Sequence, residues 1–220
     1  MVSAGTAGLP TRPVRRRSPE EVQARILAAA TAEFAEHSFS GARIDRISKR
    51  AKTVDRMLYY YFGSKERLYQ AVLEKGYADL ISAQRHFSFE SADPVQGMRD
   101  LVRQSWSHYL HHPQLVRLLV TENLLRAKFL RKSTSIKGTV MPLIERASAL
   151  LESGQQAGLF RRDVDAQRVL MTVMSLGFFY LSNQFTTGYW LGVDLMDAER
   201  LKAWEAHICD VVLDHLTRRD

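Results

Sequence analysis

At 220 residues, with 45% hydrophobic and 25% charged residues, the chain has an ordinary globular composition and should fold on its own as one or two domains. Its formal net charge of +7 is uneven: residues 1 to 85 hold 15 Lys and Arg against 9 Asp and Glu, whereas residues 86 to 220 hold 16 against 15. That excess suits a surface that neutralises phosphates, and a solvated basic face would leave the same signature. The lone Cys209 excludes an internal disulfide framework and fits a reducing cytoplasm. The most apolar run, Val169 to Leu181, is shorter than the ~20 residues needed to span a bilayer, so no membrane partner is expected.

Residues 1 to 17 are small, proline-containing and basic, with Arg12, Arg15, Arg16 and Arg17, and read as a disordered tail. Such a tail either reaches into a minor groove or is an inert leader. Ser18-Pro-Glu-Glu21 then combines an N-cap serine, proline at the first helical position and a glutamate three residues after the cap. Val22, Ile26, Leu27, Ala30 and Phe34 form one stripe on a helix of about 19 residues, which His37, Ser38 and Ser40-Gly41 end with turn chemistry. Ile44, Ile47 and Ala51 mark the core side of a second helix; Met57, Leu58 and Phe62 mark that of a third. Gly63-Ser64 stops the third and caps a fourth, whose Leu68, Ala71, Val72, Tyr77 and Leu80 continue to about Arg85.

A polar stretch from Phe87 to Pro94 reads as a linker ending in a helix start at Asp93-Pro94. Beyond it the spacing predicts helices over 94–111, 113–130, 136–156, 164–187 and 196–217, with breaks at Pro113, around Gly138, at Gly158 and at Gly188 to Gly192. Neither an alternating strand pattern nor an internal repeat is visible, so the fold class is all-α.

The second and third helices, joined by a very short turn, carry basic and aromatic side chains, the geometry that sets a helix into the major groove of double-stranded DNA. Residues 20 to 70 resemble the DNA-binding domain of the TetR family of bacterial transcriptional regulators. The resemblance rests on Ile26-Leu27 and Phe34, on Ile47 and Ala51, on Leu58-Tyr59-Tyr60-Tyr61-Phe62, and on Ser64-Lys65-Glu66 with Leu68. It implies a helix-turn-helix domain at 18–63, a connecting helix at 64–85, and a C-terminal helical bundle at 86–220 for ligand binding and dimerisation. Several positions depart from the family pattern. Lys52 replaces the usual turn glycine, Val54 replaces the hydroxyl that caps the recognition helix, and Arg56 replaces a small residue. The hydroxyl pair that opens helix two in the family is here Ala42-Arg43.

The expected DNA contacts are Arg43, Thr53, Val54, Asp55, Arg56, Met57, Tyr59, Tyr60, Tyr61 and Lys65. Thr53 is the nearest hydroxyl for a cap. Arg56 has three readings: a bidentate contact to guanine, a phosphate contact, or an internal pair with Asp55. Val54 and Met57 offer apolar contact, for instance to a thymine methyl. By resemblance the three tyrosines sit where the family meets phosphates and base edges, and Lys65 stands at a helix N-terminus that favours an anion. Successive helical residues point about 100° apart, so the tyrosines cannot all face inward. Tyr60 and Tyr61 are expected to be displayed, with Leu58 and Phe62 on the core side.

One such domain reads only about half a turn of duplex, which suggests a homodimer on a near-palindromic site. Candidate interface residues are Met174, Phe178 and Leu181 in one helix, and Leu201, Trp204, Ile208, Val212 and His215 in the last; burial within the chain is the other reading. The resemblance also implies a small-molecule effector in the C-terminal half. Candidate pocket residues are Trp106, Tyr109, Leu110, Leu118, Glu122, Met141, Ile144 and Phe178, all of which would also serve as core. His108 and His112 lack a third ligand at metal spacing and read as surface histidines at a helix end, so no metal is expected. No catalytic motif occurs and no cofactor is expected. The expected function is a cytoplasmic bacterial regulator, more often a repressor in this family. The alternatives are an architectural DNA binder without sequence preference and an all-α enzyme.

Overall fold

Ser18 opens the first helix through its side chain, whose Oγ accepts the Glu21 amide at 3.2 Å. In the computed structural model, which describes residues 18–85 and 93–217, this helix α1 spans Pro19–Gly41. The tail at 1–17 and the linker residues 87–92 lie outside the described residues. The expected stop at Ser38 is a kink: Ser38 adopts φ 58°, and the chain resumes a last helical turn to Gly41. Next come α2 (Ile44–Arg50), α3 (Asp55–Phe62) and α4 (Lys65–Arg85). Ile26, Ala30, Phe34, Ile47, Leu58 and Leu68 are buried between them, which locks the short α2 and α3 against two long helices.

Asp93 caps α5 (Pro94–His111) by accepting the Val95 amide at 2.9 Å, and Pro113 starts α6 (Pro113–Leu124). The sequence pattern carries α6 to residue 130, yet it stops at Leu124. Arg126 and Ala127 take φ of 56° and 57°, and the buried Glu122 carboxylate accepts the Phe129 and Leu130 amides at 3.2 and 3.0 Å. The segment therefore folds back into a 3-10 turn, Leu130–Lys132, before α7 (Ile136–Gln156). Gly138 consequently sits in the first turn of α7 rather than at a break. The helix expected over 164–187 is two, α8 (Ala166–Ser182) and α9 (Gln184–Leu191), divided at Asn183; Gly192, at φ 66°, ends α9 before α10 (Ala198–Thr217).

Helices α5, α7, α8 and α10 enclose a second core around Met98, Trp106, Leu151, Val173, Ile208 and Val212. The two cores meet where α1 packs on α6 and α4 on α7. Leu118, Phe129 and Ile136 from the second half complete the first core. The Phe129 ring lies 4.5 Å from Phe39 and 5.0 Å from Tyr69, so the two halves share an aromatic cluster. Among the described residues there is no strand, and no helix is long and apolar enough to cross a membrane.

Candidate nucleic-acid interface

The turn between α2 and α3 closes by two backbone bonds, Thr53 N–H to Ser48 O at 3.0 Å and Lys52 N–H to Lys49 O at 3.1 Å. This is the helix-ending pattern that needs a left-handed residue, and Lys52 supplies it at φ 50° where glycine is the relaxed choice. Lys52→Gly is therefore expected to raise stability by up to ~1 kcal/mol, read as a higher denaturation midpoint without loss of DNA affinity. Val54 is the N-cap of α3 and makes no side-chain cap bond. The tie between the two helices comes instead from Ser48, whose hydroxyl donates to the Asp55 carboxylate in the first turn of α3. Asp55 forms no ion pair with Arg56 among the described residues and instead ties α3 to α2.

Buried Glu33 holds the other side of α2. Its carboxylate accepts the Arg43 amide at 3.0 Å and Arg46 Nε at 2.6 Å, while Arg46 also donates to the Gly41 carbonyl at 2.6 Å. Sequence reasoning passed over Glu33, although it falls on the apolar stripe seven residues after Ile26. A carboxylate there signals a buried partner. Arg43 pairs with Asp45 at 3.0 Å, and that guanidinium holds the Asp45 carboxyl below its usual range.

With α3 held in this way, one face is displayed. Val54 is 63% exposed, Tyr59 51% and Tyr60 76%; Arg56 is also exposed and makes no ion pair among the described residues. Tyr61, expected outside, is half-buried against the first core with Met57 and Phe62, its ring edge-on to Tyr60 at 5.1 Å. The reason is phase: Leu58 points straight into the core, and Tyr61, three residues on, shares that side, whereas Tyr59 and Tyr60 do not. Thr53 is half-buried. Lys65 opens α4 with its Nζ 4.9 Å from the Phe39 ring centroid; desolvation lowers its pKa, opposed by the charges of Glu66 and Glu33.

The eight expected pocket residues do not line one cavity. Tyr109 and Leu110 border an open groove of about 400 Å³ with Val116, Thr121, Phe185 and, from α1, Ser38. Leu118 borders a separate groove of about 370 Å³ between α1, α4 and the start of α6. Trp106 packs edge-on to Tyr180 at 5.5 Å, Phe178 edge-on to Tyr109 at 6.0 Å, and Ile144 rests on the second core. Glu122 is committed to the turn after α6, and Met141 is exposed.

The expected dimer residues also divide. Leu181, Ile208 and Val212 are buried in the chain's own core, Phe178 faces Tyr109, and Leu201 and Trp204 are half-buried, Trp204 donating to the Leu176 carbonyl at 3.3 Å. Met174 and His215 are exposed. The apolar face that α8 presents to solvent is Met171, Met174 and Phe179, and α9 adds Phe185, Tyr189, Trp190 and Leu191. His108, read as a surface residue, is buried and stacks on His112 at 4.1 Å; burial and then the neighbouring His112 push its pKa down to about 4. Among the described residues no three His, Cys, Asp or Glu are gathered to hold a metal.

The family model "Bacterial regulatory proteins, tetR family" matches residues 26–72, and "Tetracyclin repressor-like, C-terminal domain" matches residues 94–212. The chain belongs to the TetR family. Like this TetR-family chain in length, the transcriptional repressor NicS of Pseudomonas putida is 38% identical over 93% of the chain and 97% of NicS. The repressor SCO4008 of Streptomyces coelicolor is 31% identical over 73% of the chain and 78% of its own length. Among solved structures, the transcriptional regulator SCO4942 of Streptomyces coelicolor superposes with a TM-score of 0.68 at 26% identity, covering 90% of this chain and 99% of that one. A TetR-family helix-turn-helix with repressor relatives is a DNA-binding transcriptional regulator and not an enzyme.

Proposed function

We propose that the chain represses transcription as a homodimer on a near-palindromic operator in the bacterial cytoplasm and leaves it when a small molecule binds the C-terminal half. The observation that carries the operator reading is the displayed face of α3, where Val54, Arg56, Tyr59 and Tyr60 project from a helix fixed by Leu58 and by the Ser48–Asp55 bond. Such a rigid, mixed basic and aromatic face meets base edges and phosphates together. Lys65 and Arg43 would flank it on the backbone.

Dimerisation rests on the exposed Met171, Met174 and Phe179 of α8, beside the exposed Ala203 and His207 of α10. Paired by a two-fold axis, these helices give a four-helix contact. Effector release rests on the groove between Tyr109, Thr121 and Ser38. A molecule seated there touches α1 and the C-terminal half at once, so its affinity differs between their DNA-competent and incompetent arrangements.

Selection of bound sequences from a random duplex library tests the reading. An inverted repeat with half-sites about one helical turn apart is the expected outcome. Recovery of no preferred sequence would leave only a non-specific binder. On the selected operator, Arg56→Ala is expected to cost about 1–3 kcal/mol and to relax preference at one position per half-site, measured by titration against single-base variants. A uniform loss across all variants would assign Arg56 to phosphate instead.

A further inference from the structure

The turn after α6 carries a charge pattern that the reading head does not use. From Arg126 to Lys137 the chain has Arg126, Lys128, Arg131, Lys132 and Lys137, and neither Asp nor Glu. All five are exposed, and none forms an ion pair among the described residues. Five cations held together with no ion pair among them repel one another, and a row of phosphates relieves that repulsion by releasing its own counterions.

The segment is fixed, and it is fixed beside the DNA-facing end of α4. Glu122 anchors the Phe129 and Leu130 amides, Gln70 donates to the Lys132 carbonyl at 3.3 Å, and Ser133 donates to Glu74 at 2.6 Å. Lys128 and Lys132 place their Nζ atoms 5.3 and 5.9 Å from the Phe129 ring centroid. That ring is 4.5 Å from Phe39, over which Lys65 lies at 4.9 Å. Two touching rings therefore carry cations from both halves of the chain, which sets the turn next to the head of α4. The Lys128 charge also reaches Glu66, the residue next to Lys65, and helps to hold its carboxyl below the usual range, after the hydrogen bonds to the Glu66 backbone and Ser64.

We infer that residues 126–137 form a second phosphate-binding surface, by which the C-terminal half grips the DNA backbone beside the half-site read by α3. The inference rests on the DNA-binding reading of α3 and goes beyond it: the half of the chain that would take the effector also touches the DNA. Any shift of α6 would then move cations off the backbone directly, in addition to changing the spacing of the two reading heads.

The test is the salt dependence of affinity for the full-length protein on the selected operator, extended by about ten base pairs on each side. For Lys128→Gln/Arg131→Gln, each lost phosphate contact lowers the slope of log K against log salt by about 0.9, and the dimer loses two contacts per protomer, so the slope should fall by about 3.6. Between 50 and 200 mM salt the advantage of the unaltered protein should narrow about 150-fold. Lys128→Arg/Arg131→Lys, which keeps both charges, should keep the original slope. So should Arg162→Gln/Lys202→Gln, which removes two exposed charges elsewhere. An unchanged slope in the first variant, or an equal fall in the last, overturns the inference while leaving the reading head intact. Failure of the unaltered protein to bind any duplex removes the reading head and this surface together.

Discussion

Met174→Glu combined with Phe179→Glu is expected to yield a folded monomer whose operator affinity is lower by about 100- to 10,000-fold. Both side chains are exposed on α8, 45% and 57% respectively, so charging them disturbs little inside the chain. Across a two-fold axis, however, the glutamates of each protomer would be buried against the apolar face of its copy, and charges cannot be buried there without a partner. Two tethered reading heads bind as one event; two free heads do not, and the lost effective concentration sets the size of the fall. Light scattering during size-exclusion chromatography reads the mass, and titration reads the affinity. A variant that stays dimeric with full affinity would move the interface elsewhere, first to Trp190 and Leu191 of α9. The same substitution at Ile208 or Val212 would be uninformative, because both are buried within one chain and would simply unfold it.

That contrast explains why the reading head was legible in the sequence and the C-terminal surfaces were not. In α1, α2 and α4 enough polar residues interrupt the apolar ones for Ile26, Phe34, Ile47 and Leu68 to be assigned inward from spacing, whereas in α3 the unbroken run from Met57 to Phe62 left Tyr61 expected outside although it packs on the first core. The unusual turn was also legible, because Lys52 and Val54 stand where the backbone needs a left-handed residue and a cap. In α8 the apolar residues surround the helix, and periodicity has no phase to report. Only packing shows that Val173 and Leu181 turn inward while Met171, Met174 and Phe179 turn out. How the pocket candidates are grouped was hidden for a related reason: aromatic and methionine side chains at helical spacing serve a core or a groove equally well, and the groove bordered by Tyr109 and Leu110 also uses Ser38 and Phe185, which lie far apart in sequence. The end of α6 was missed because a buried carboxylate, not a glycine or proline, reverses the chain there. The basic turn that follows is a run of charges without acids, and sequence reasoning passed over it because residues 86 to 220 are nearly balanced in charge as a whole. Its nearness to Lys65 was not legible either, since that depends on Phe129 crossing to Phe39.

Glu33→Ala is expected to destabilise the protein by about 3 kcal/mol and to abolish operator binding, although Glu33 is buried and touches no DNA. The carboxylate accepts the Arg43 amide at 3.0 Å and pairs with Arg46 at 2.6 Å, so its removal strands an N–H at the start of α2 and a partly solvated guanidinium beside it. Partial exposure of Arg46 keeps the cost at the lower end of the range for broken buried pairs. Helix α2 has only seven residues and little intrinsic stability, so the loss falls on the element that sets the tilt of α3. Glu33→Gln separates the two roles of the side chain: its amide oxygen still accepts the Arg43 N–H, the charge pair is lost, and the expected cost falls to about 1–2 kcal/mol. Denaturant titration reads both costs, and DNA titration at low temperature should recover binding for the glutamine variant but not for the alanine one. Tyr60→Ala supplies the opposite signature, weakened DNA binding at unchanged stability, because its ring is largely exposed. If Glu33→Ala lowered affinity without lowering the denaturation midpoint, Glu33 would have to act on the DNA complex itself rather than through the placement of α2.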